Sequence, residues 1–336
     1  MSKTTFPTVP LGRTGLDITR VGFGAWAAGG GGWAFGWGPQ DDDSSIAAMR
    51  HAVESGVNWL DTAPVYGLGH SEEVVARALA DFAPADRPLV FTKAGFSWDP
   101  ADRRSSPARV ASPTEIRREL EDSLRRLRVE RIDLYQLHWP PEDGTALEVY
   151  WATFADLRTE GKVRAVGLSN HDVAQLEAAE AIAHVDTLQP PFSAIRRESA
   201  EEIAWCAAHG TGVIVYSPMQ AGLLTGAFSV ERARAIDPDD WRSRDEDFTG
   251  DALERNLALT ESLVPIADRH GVSTGAVAIA WTLAWSGVSG AIVGARSPEQ
   301  VDGWVAAAEL ELTAADLDQI ADAVVRTGAG AGPNRP

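Results

Sequence analysis

The segment DTAPVYG puts a carboxylate, Asp61, and a phenol, Tyr66, into one short stretch behind the apolar run Val57-Asn58-Trp59-Leu60. Two later apolar runs end the same way, one in Lys93 and one in His138. These residue types make chemical sense together. A tyrosine phenol titrates near about 10, and a neighbouring ammonium stabilises the phenolate and lowers that value. A carboxylate beside the lysine holds it charged and in place. A histidine near the phenol can orient a carbonyl oxygen or join a proton relay. The set suits proton donation to an oxygen that gains negative charge, as when hydride adds to a carbonyl. Taken singly, Asp61 could cap a turn, Tyr66 could pack its ring, Lys93 could be solvated and His138 could sit in a core. Their coincidence at strand ends favours a joint role.

The elements that must position them form a regular series. Strands are predicted at 21–26, 57–62, 88–93, 132–138, 163–168, 186–190, 212–216 and 290–294. Helical patterns at 44–55, 71–82, 113–128, 145–160, 172–183 and 198–209 separate the first seven, and 298–308 follows the eighth. The strands are apolar throughout rather than alternating, as parallel strands covered by helices are. Eight strand–helix units predict an α/β fold, a closed (β/α)8 TIM barrel, with ligands at the carboxyl ends of the strands. Residues 1–326 form one domain in this reading, with an N-terminal β-hairpin at 8–20 and extra C-terminal helices. The segment 217–250 shows no clear periodicity, and the Gly/Ala/Pro tail 327–336 is expected to fray. A loop at 27–39 carries Trp33, Phe35 and Trp37, which suggests an apolar lid or pocket wall.

Composition narrows the partners. A formal charge of −18 repels polyanions, which argues against nucleic acid and anionic membranes. The single cysteine, Cys206, permits no intrachain disulfide and reads as core filler. The N-terminus MSKTTFPTVP has no secretory apolar core, and no run is long enough to span a bilayer. A cytoplasmic location is expected, and a homo-oligomer is left open. No metal-ligand cluster is visible.

Several long motifs in order carry a family resemblance: LGRTGLDITRVGFGAW, DTAPVYG, FTKAG, DLYQLHWP, GKVRAVGLSN, VIVYSPMQAGLLTG and IVGARSPEQV. The chain resembles the aldo-keto reductase superfamily over nearly its whole length. That resemblance implies a catalytic tetrad of Asp61, Tyr66, Lys93 and His138, with Tyr66 as general acid. It implies a nicotinamide cofactor lying across the barrel mouth without a Rossmann domain, and GFGAW is indeed no GxGxxG fingerprint. Gly24, Ala25, Trp26 and Asp61 would border the cofactor, and Ser169, Asn170 and Gln189 would hold its carboxamide. Tyr216 would stack on the nicotinamide ring, and Ser217, Pro218, Met219, Gly222 and Leu224 would line the pyrophosphate. Arg296, with the exposed N–H groups at the helix start after Gly294, would meet an adenosine 2′-phosphate, favouring NADP(H) over NAD(H), and Gln300 is a further expected cofactor residue.

Gln300 stands where many relatives carry a basic residue, and Trp304 where an asparagine often meets adenine. Trp304 either stacks on adenine or packs in its helix. Trp26, Trp33, Trp37, Tyr66, Trp98 and His138 are the expected substrate wall. The implied activity is reversible NADPH-dependent reduction of an aldehyde or ketone to an alcohol. The alternatives are a cofactor-binding regulatory subunit on this fold, and a lyase using Lys93 as a Schiff-base nucleophile. The latter needs a neutral lysine, which Asp61 opposes.

Overall fold

Apolar runs with no polar alternation can pair only where both faces are covered, and eight of them close on one another here. The computed structural model describes residues 6–238 and 240–336; residues 1–5, part of the N-terminal stretch read as lacking a secretory core, lie outside them. The chain opens with an antiparallel hairpin, β1 (Thr8–Pro10) and β2 (Asp17–Thr19). The closed parallel barrel is built from β3 (Val21–Gly24), β4 (Trp59–Asp61), β5 (Leu89–Ala94), β8 (Ile132–Leu137), β9 (Val163–Ser169), β10 (Thr187–Gln189), β11 (Gly212–Tyr216) and β12 (Val288–Gly294). Pairing of β12 with β3 closes it. Two two-residue strands, β6 (Phe96–Ser97) and β7 (Ala108–Arg109), form a small antiparallel sheet above β5.

The intervening helices are α1 (Asp42–Glu54), α2 (His70–Leu79), α3 (Pro113–Leu127), α4 (Leu147–Thr159), α5 (Val173–Glu180) and α6 (Ala200–His209). After β11 come the short α7 (Val230–Arg234), then α8 (Gly250–His270) and α9 (Thr274–Leu283). α10 (Pro298–Asp302) and α11 (Ala314–Thr327) follow β12. Local chemistry sets their starts. The Ser112 side chain accepts from the Glu115 N–H, with Pro113 in the first turn of α3. Asp172 and Gln175 form a reciprocal capping box at α5.

The hairpin plugs the amino-terminal end of the barrel. Leu11, Leu16 and Ile18 pack with Trp59, Phe91, Leu134 and Ile214 from the barrel interior. The Trp59 indole N–H donates to the Thr19 carbonyl at 2.8 Å, so the largest interior side chain keeps its one polar atom satisfied. Gly22 is required beneath it, because a Cβ there would lie 2.1 Å from the indole ring. With one end plugged, only the carboxyl end of the strands is left for a cavity.

Two expectations, the helix over 298–308 and the frayed tail, differ in detail, and the structure explains a third, the unpatterned segment 217–250. The helix expected over 298–308 is a five-residue α10 followed by a 3-10 turn, Val305–Ala308, with the buried Trp304 at the break. The segment 217–250 has no periodic face because single side chains hold it rather than one packed stripe. Arg242 pairs with the buried Asp240 at 2.6 Å, and its guanidinium carbon lies 4.7 Å from the Trp37 ring centre. The tail expected to fray packs against the body: Arg197 donates its backbone N–H to Ala331 O and its Nη2 to Ala329 O, each at 3.1 Å. Gly330, at φ +62°, permits this approach, since a Cβ would fall 1.6 Å from Ile195 O. Among the described residues, no helix is long and apolar enough to cross a membrane.

Candidate active site

Asp61 ends β4 and Lys93 lies next to the end of β5, and their pairing brings the two side chains together. Lys93 Nζ donates to Asp61 Oδ1 at 2.5 Å and to the Thr62 carbonyl at 2.9 Å. Both side chains are almost completely buried. The other Asp61 oxygen accepts from Gln189 Nε2 at 2.9 Å. Lys93 Nζ sits 5.2 Å from the centre of the Tyr66 ring, and that ring meets His138 edge-on with centres 5.6 Å apart. The four residues singled out in the sequence therefore converge at one mouth.

Burial governs their protonation. It raises the Tyr66 phenol well above its usual range, with the charge of Asp61 adding to the effect. This overturns the expectation that Lys93 lowers the phenol: desolvation of the phenolate outweighs an ammonium already spent on Asp61. Tyr66 is a protonated phenol at neutral pH, the form that can donate. Burial, with help from the positive charges of Lys93 and Arg109, pushes His138 well below its normal value, so the imidazole is neutral. Burial also drives Asp61 up and Lys93 down, and the charge of each partner opposes the shift. A neutral imidazole beside a phenol, backed by a buried ion pair, can orient an oxygen and hand it a proton.

One cavity of about 850 Å3 runs from these residues across the mouth to the loop after β12. Of the expected cofactor residues, Gly24, Ala25, Trp26, Asp61, Asn170, Gln189, Tyr216, Ser217, Pro218, Met219, Gly222, Gly294, Arg296 and Gln300 line it. Ser169 and Leu224 are buried outside the lining. Ser169 Oγ instead donates to Gln189 O at 2.7 Å and accepts from Asn170 Nδ2 at 3.0 Å. Gln189 spends its amide N–H on Asp61. Asn170, in the left-handed region at φ +61°, also donates to His138 O and accepts from the Tyr216 hydroxyl at 2.9 Å. Arg296 is tied to the Trp-rich loop: its Nε donates to Gln40 Oε1 at 2.5 Å and its Nη2 to Pro39 O. Gln300 Oε1 accepts the Arg296 backbone N–H at 2.8 Å.

The residues present fit a dinucleotide. Arg232, Arg242 and Arg296 line the cavity, where they offset an otherwise acidic chain for an anionic group. Among the described residues, no cluster could hold a metal ion.

At the tetrad end the wall is aromatic. Trp26, Trp33, Trp37, Tyr66 and His138 line it as expected, whereas Trp98 packs against the Trp33–Phe96 cluster outside the lining. Trp26 lies between Tyr66 and Trp241, stacked on each at 6.0 and 5.5 Å, which ties the segment after β11 to the first loop. Sequence reasoning missed Phe96, Arg109, Trp139 and Glu142 in the lining, and Arg232 and Arg242 with them. The two-residue strands β6 and β7 are too short to show a period. GLLTGAFSVERAR and DDWRSR do contain the missed arginines, and isolated cations in an unpatterned segment of an acidic chain were the signal available.

Glu119 of α3 supports this wall. Its buried carboxylate accepts the Gly95 N–H at 3.2 Å and the Phe96 N–H at 3.4 Å, and the Phe96 ring meets His138 edge-on at 5.2 Å. Burial raises its pKa to about 8, from an ordinary 4.5. The folded protein thus keeps a proton that the unfolded chain has released, so stability falls as pH rises from the unfolded value toward about 8. Thermal midpoints between about pH 5 and 8 should drop more steeply in the wild type than in Glu119→Gln. Equal slopes would show that Glu119 does not titrate in this range.

Comparison with known proteins agrees with this geometry. The model of the Aldo/keto reductase family matches residues 20–325. Aldo-keto reductase YhdN of Bacillus subtilis is 33% identical over 291 residues, covering 86% of this chain and 85% of that protein. The NADH-specific methylglyoxal reductase of Escherichia coli is 32% identical over 332 residues, covering 95% and 99%. Among solved structures, the glycerol dehydrogenase of Gluconobacter oxydans superposes with a TM-score of 0.86 at 36% identity, covering 99% of this chain and 98% of that one. A closed parallel barrel with the expected residues at its mouth, and relatives matched along nearly their full lengths, lead to one conclusion: the chain belongs to the aldo/keto reductase family of NAD(P)H-dependent oxidoreductases acting on carbonyl groups.

Proposed function

We propose that the protein reduces an aldehyde or ketone to an alcohol, reversibly, with NADPH as the preferred cofactor and Tyr66 as the proton donor. The observation that carries the acid assignment is a phenol kept protonated by burial, beside a neutral His138 and a Lys93–Asp61 pair. The nicotinamide, when bound, supplies the hydride. The chain's own part is to hold the carbonyl oxygen between Tyr66 and His138 and to deliver the phenolic proton as that oxygen gains charge. Lys93 stabilises the phenolate left behind, and Asp61 keeps Lys93 charged while it does so. The aromatic wall excludes water from the reacting atoms. Asn170 is the residue assigned to the carboxamide, since its side chain lines the cavity where Ser169 does not. A cytoplasmic site of action belongs to the same proposal.

The preference for NADPH rests on Arg296, with Arg232 and Arg242 also lining the cavity. The NADH-specific relative in Escherichia coli makes the choice a real one. Titration with NADPH and NADH, followed by quenching of tryptophan fluorescence, decides it. Arg296→Ala should raise the Kd for NADPH by about tenfold or more and that for NADH much less, as loss of one charged hydrogen-bond partner predicts. Equal changes would remove Arg296 from the 2′-phosphate.

A further inference from the structure

One charged pair at the tetrad end of the cavity has no part in this reaction scheme. Arg109 and Glu142 line the cavity there, in a wall otherwise built from Trp26, Trp33, Phe96 and Trp139. Arg109 is placed firmly: it pairs with Phe96 across β6 and β7, and the Phe96 ring touches His138. Its guanidinium carbon lies over the Trp139 ring, 4.6 Å from its centre, in a cation–π contact. Nη1 donates to Glu142 Oε1 at 3.0 Å, and the Glu142 N–H donates to Arg109 O at 3.0 Å. This cation stands apart from Arg232, Arg242 and Arg296, which come from the segments after β11 and β12.

The geometry points to Arg109 as the specificity determinant that selects carbonyl substrates carrying a carboxylate, an inference that rests on the carbonyl-reduction reading above. Three arguments support it. A chain of net charge −18 repels anions, so an anionic substrate needs a local cation at the mouth. The contact with Trp139 and the bond to Glu142 restrict the guanidinium beforehand, so less side-chain entropy is lost when a carboxylate binds it. The pair with Glu142 is exchangeable: the Glu142 side chain is 68% exposed and that of Arg109 36%, a pairing of at most about 1 kcal/mol. A substrate carboxylate that displaces Glu142 gains a partner already oriented.

A matched pair of aldehydes tests this, 4-carboxybenzaldehyde and its neutral isostere 4-formylbenzamide. The quantity read is the ratio of kcat/KM for the acid to that for the amide. In the wild type the acid should be favoured by about tenfold, the effect of one charge-assisted hydrogen bond. Arg109→Met keeps an apolar stem against Trp139 and should bring the ratio to about one. Glu142→Gln removes the competing carboxylate and should raise it. A ratio near one in the wild type, or one that neither substitution moves, overturns the assignment. Binding of 4-(hydroxymethyl)benzoate and 4-(hydroxymethyl)benzamide, read by tryptophan fluorescence, gives the same ratio without turnover. An anion preference in binding that Arg109→Met abolishes, with no reduction of either aldehyde, would uphold the Arg109 site and count against the reductase reading alone.

Discussion

Tyr66→Phe should lower kcat by about a thousandfold while leaving the Kd for NADPH within about a factor of two. The expectation follows from what the substitution changes. Tyr66 lines the cavity with its ring edge toward His138 and one face toward Trp26, and phenylalanine keeps both ring contacts. Only the hydroxyl goes, and with it a phenol beside His138 and Lys93 that burial holds in its protonated form. His138 cannot replace it, because burial and two nearby cations hold it well below the range in which it would carry a proton to give. The loss should therefore appear in kcat and kcat/KM together, the pattern of an interaction made only in the transition state. Single-turnover reduction of a reactive aldehyde, with NADPH binding measured on the same sample, checks both halves. Near-normal turnover would end the acid assignment. A large loss of NADPH affinity would show that the hydroxyl is a binding group instead.

The legible part of this protein was whatever a strand end or a helix period exposes. Asp61, Lys93 and His138 each close an apolar run, and a parallel barrel turns three separated sequence positions into one mouth. The runs themselves were readable because helices cover them on the outside and side chains such as Trp59 and Phe91 fill them within. What escaped was set by contacts between segments with no period of their own. Trp241 meets Trp26 across more than two hundred residues of chain, and nothing local announces it. Arg109 enters the cavity only because a two-residue strand pairs with Phe96. The direction of the Tyr66 shift was missed for another reason. A lysine near a phenol predicts a lowered value from charge alone, while the extent of burial is a property of the closed mouth and not of the motif. Ser169 and Asn170 are neighbours in one motif, yet Asn170 lines the cavity while the Ser169 hydroxyl donates to Gln189 O, a difference set by the backbone turn and not by the motif.

Lys93→Met gives the second large effect, and it separates stability from catalysis. Lys93 is fully buried, and its ammonium has Asp61 Oδ1 and Thr62 O as acceptors. Its removal leaves the Asp61 carboxylate in the interior with Gln189 Nε2 as a remaining donor. Breaking a buried pair from one side costs about 3–5 kcal/mol, because the abandoned charge stays desolvated. Lys93→Met should therefore unfold at clearly lower denaturant concentration than the wild type. Asp61→Asn combined with Lys93→Met removes both charges, and the carboxamide oxygen introduced by the first substitution would still offer Gln189 an acceptor. The double variant should regain most of the lost stability, giving a coupling of about 2–3 kcal/mol in the cycle. Turnover should not return with it. With the ammonium gone, the phenolate formed at Tyr66 has no cation within 5.2 Å of its ring of the kind Lys93 supplies, and the proton is given up less readily. Stability restored without activity would assign the Lys93–Asp61 pair to the chemistry as well as to the fold. If stability and turnover returned together, the lysine would be a structural residue only. If the two losses in stability simply added, Asp61 and Lys93 would not be acting as a pair.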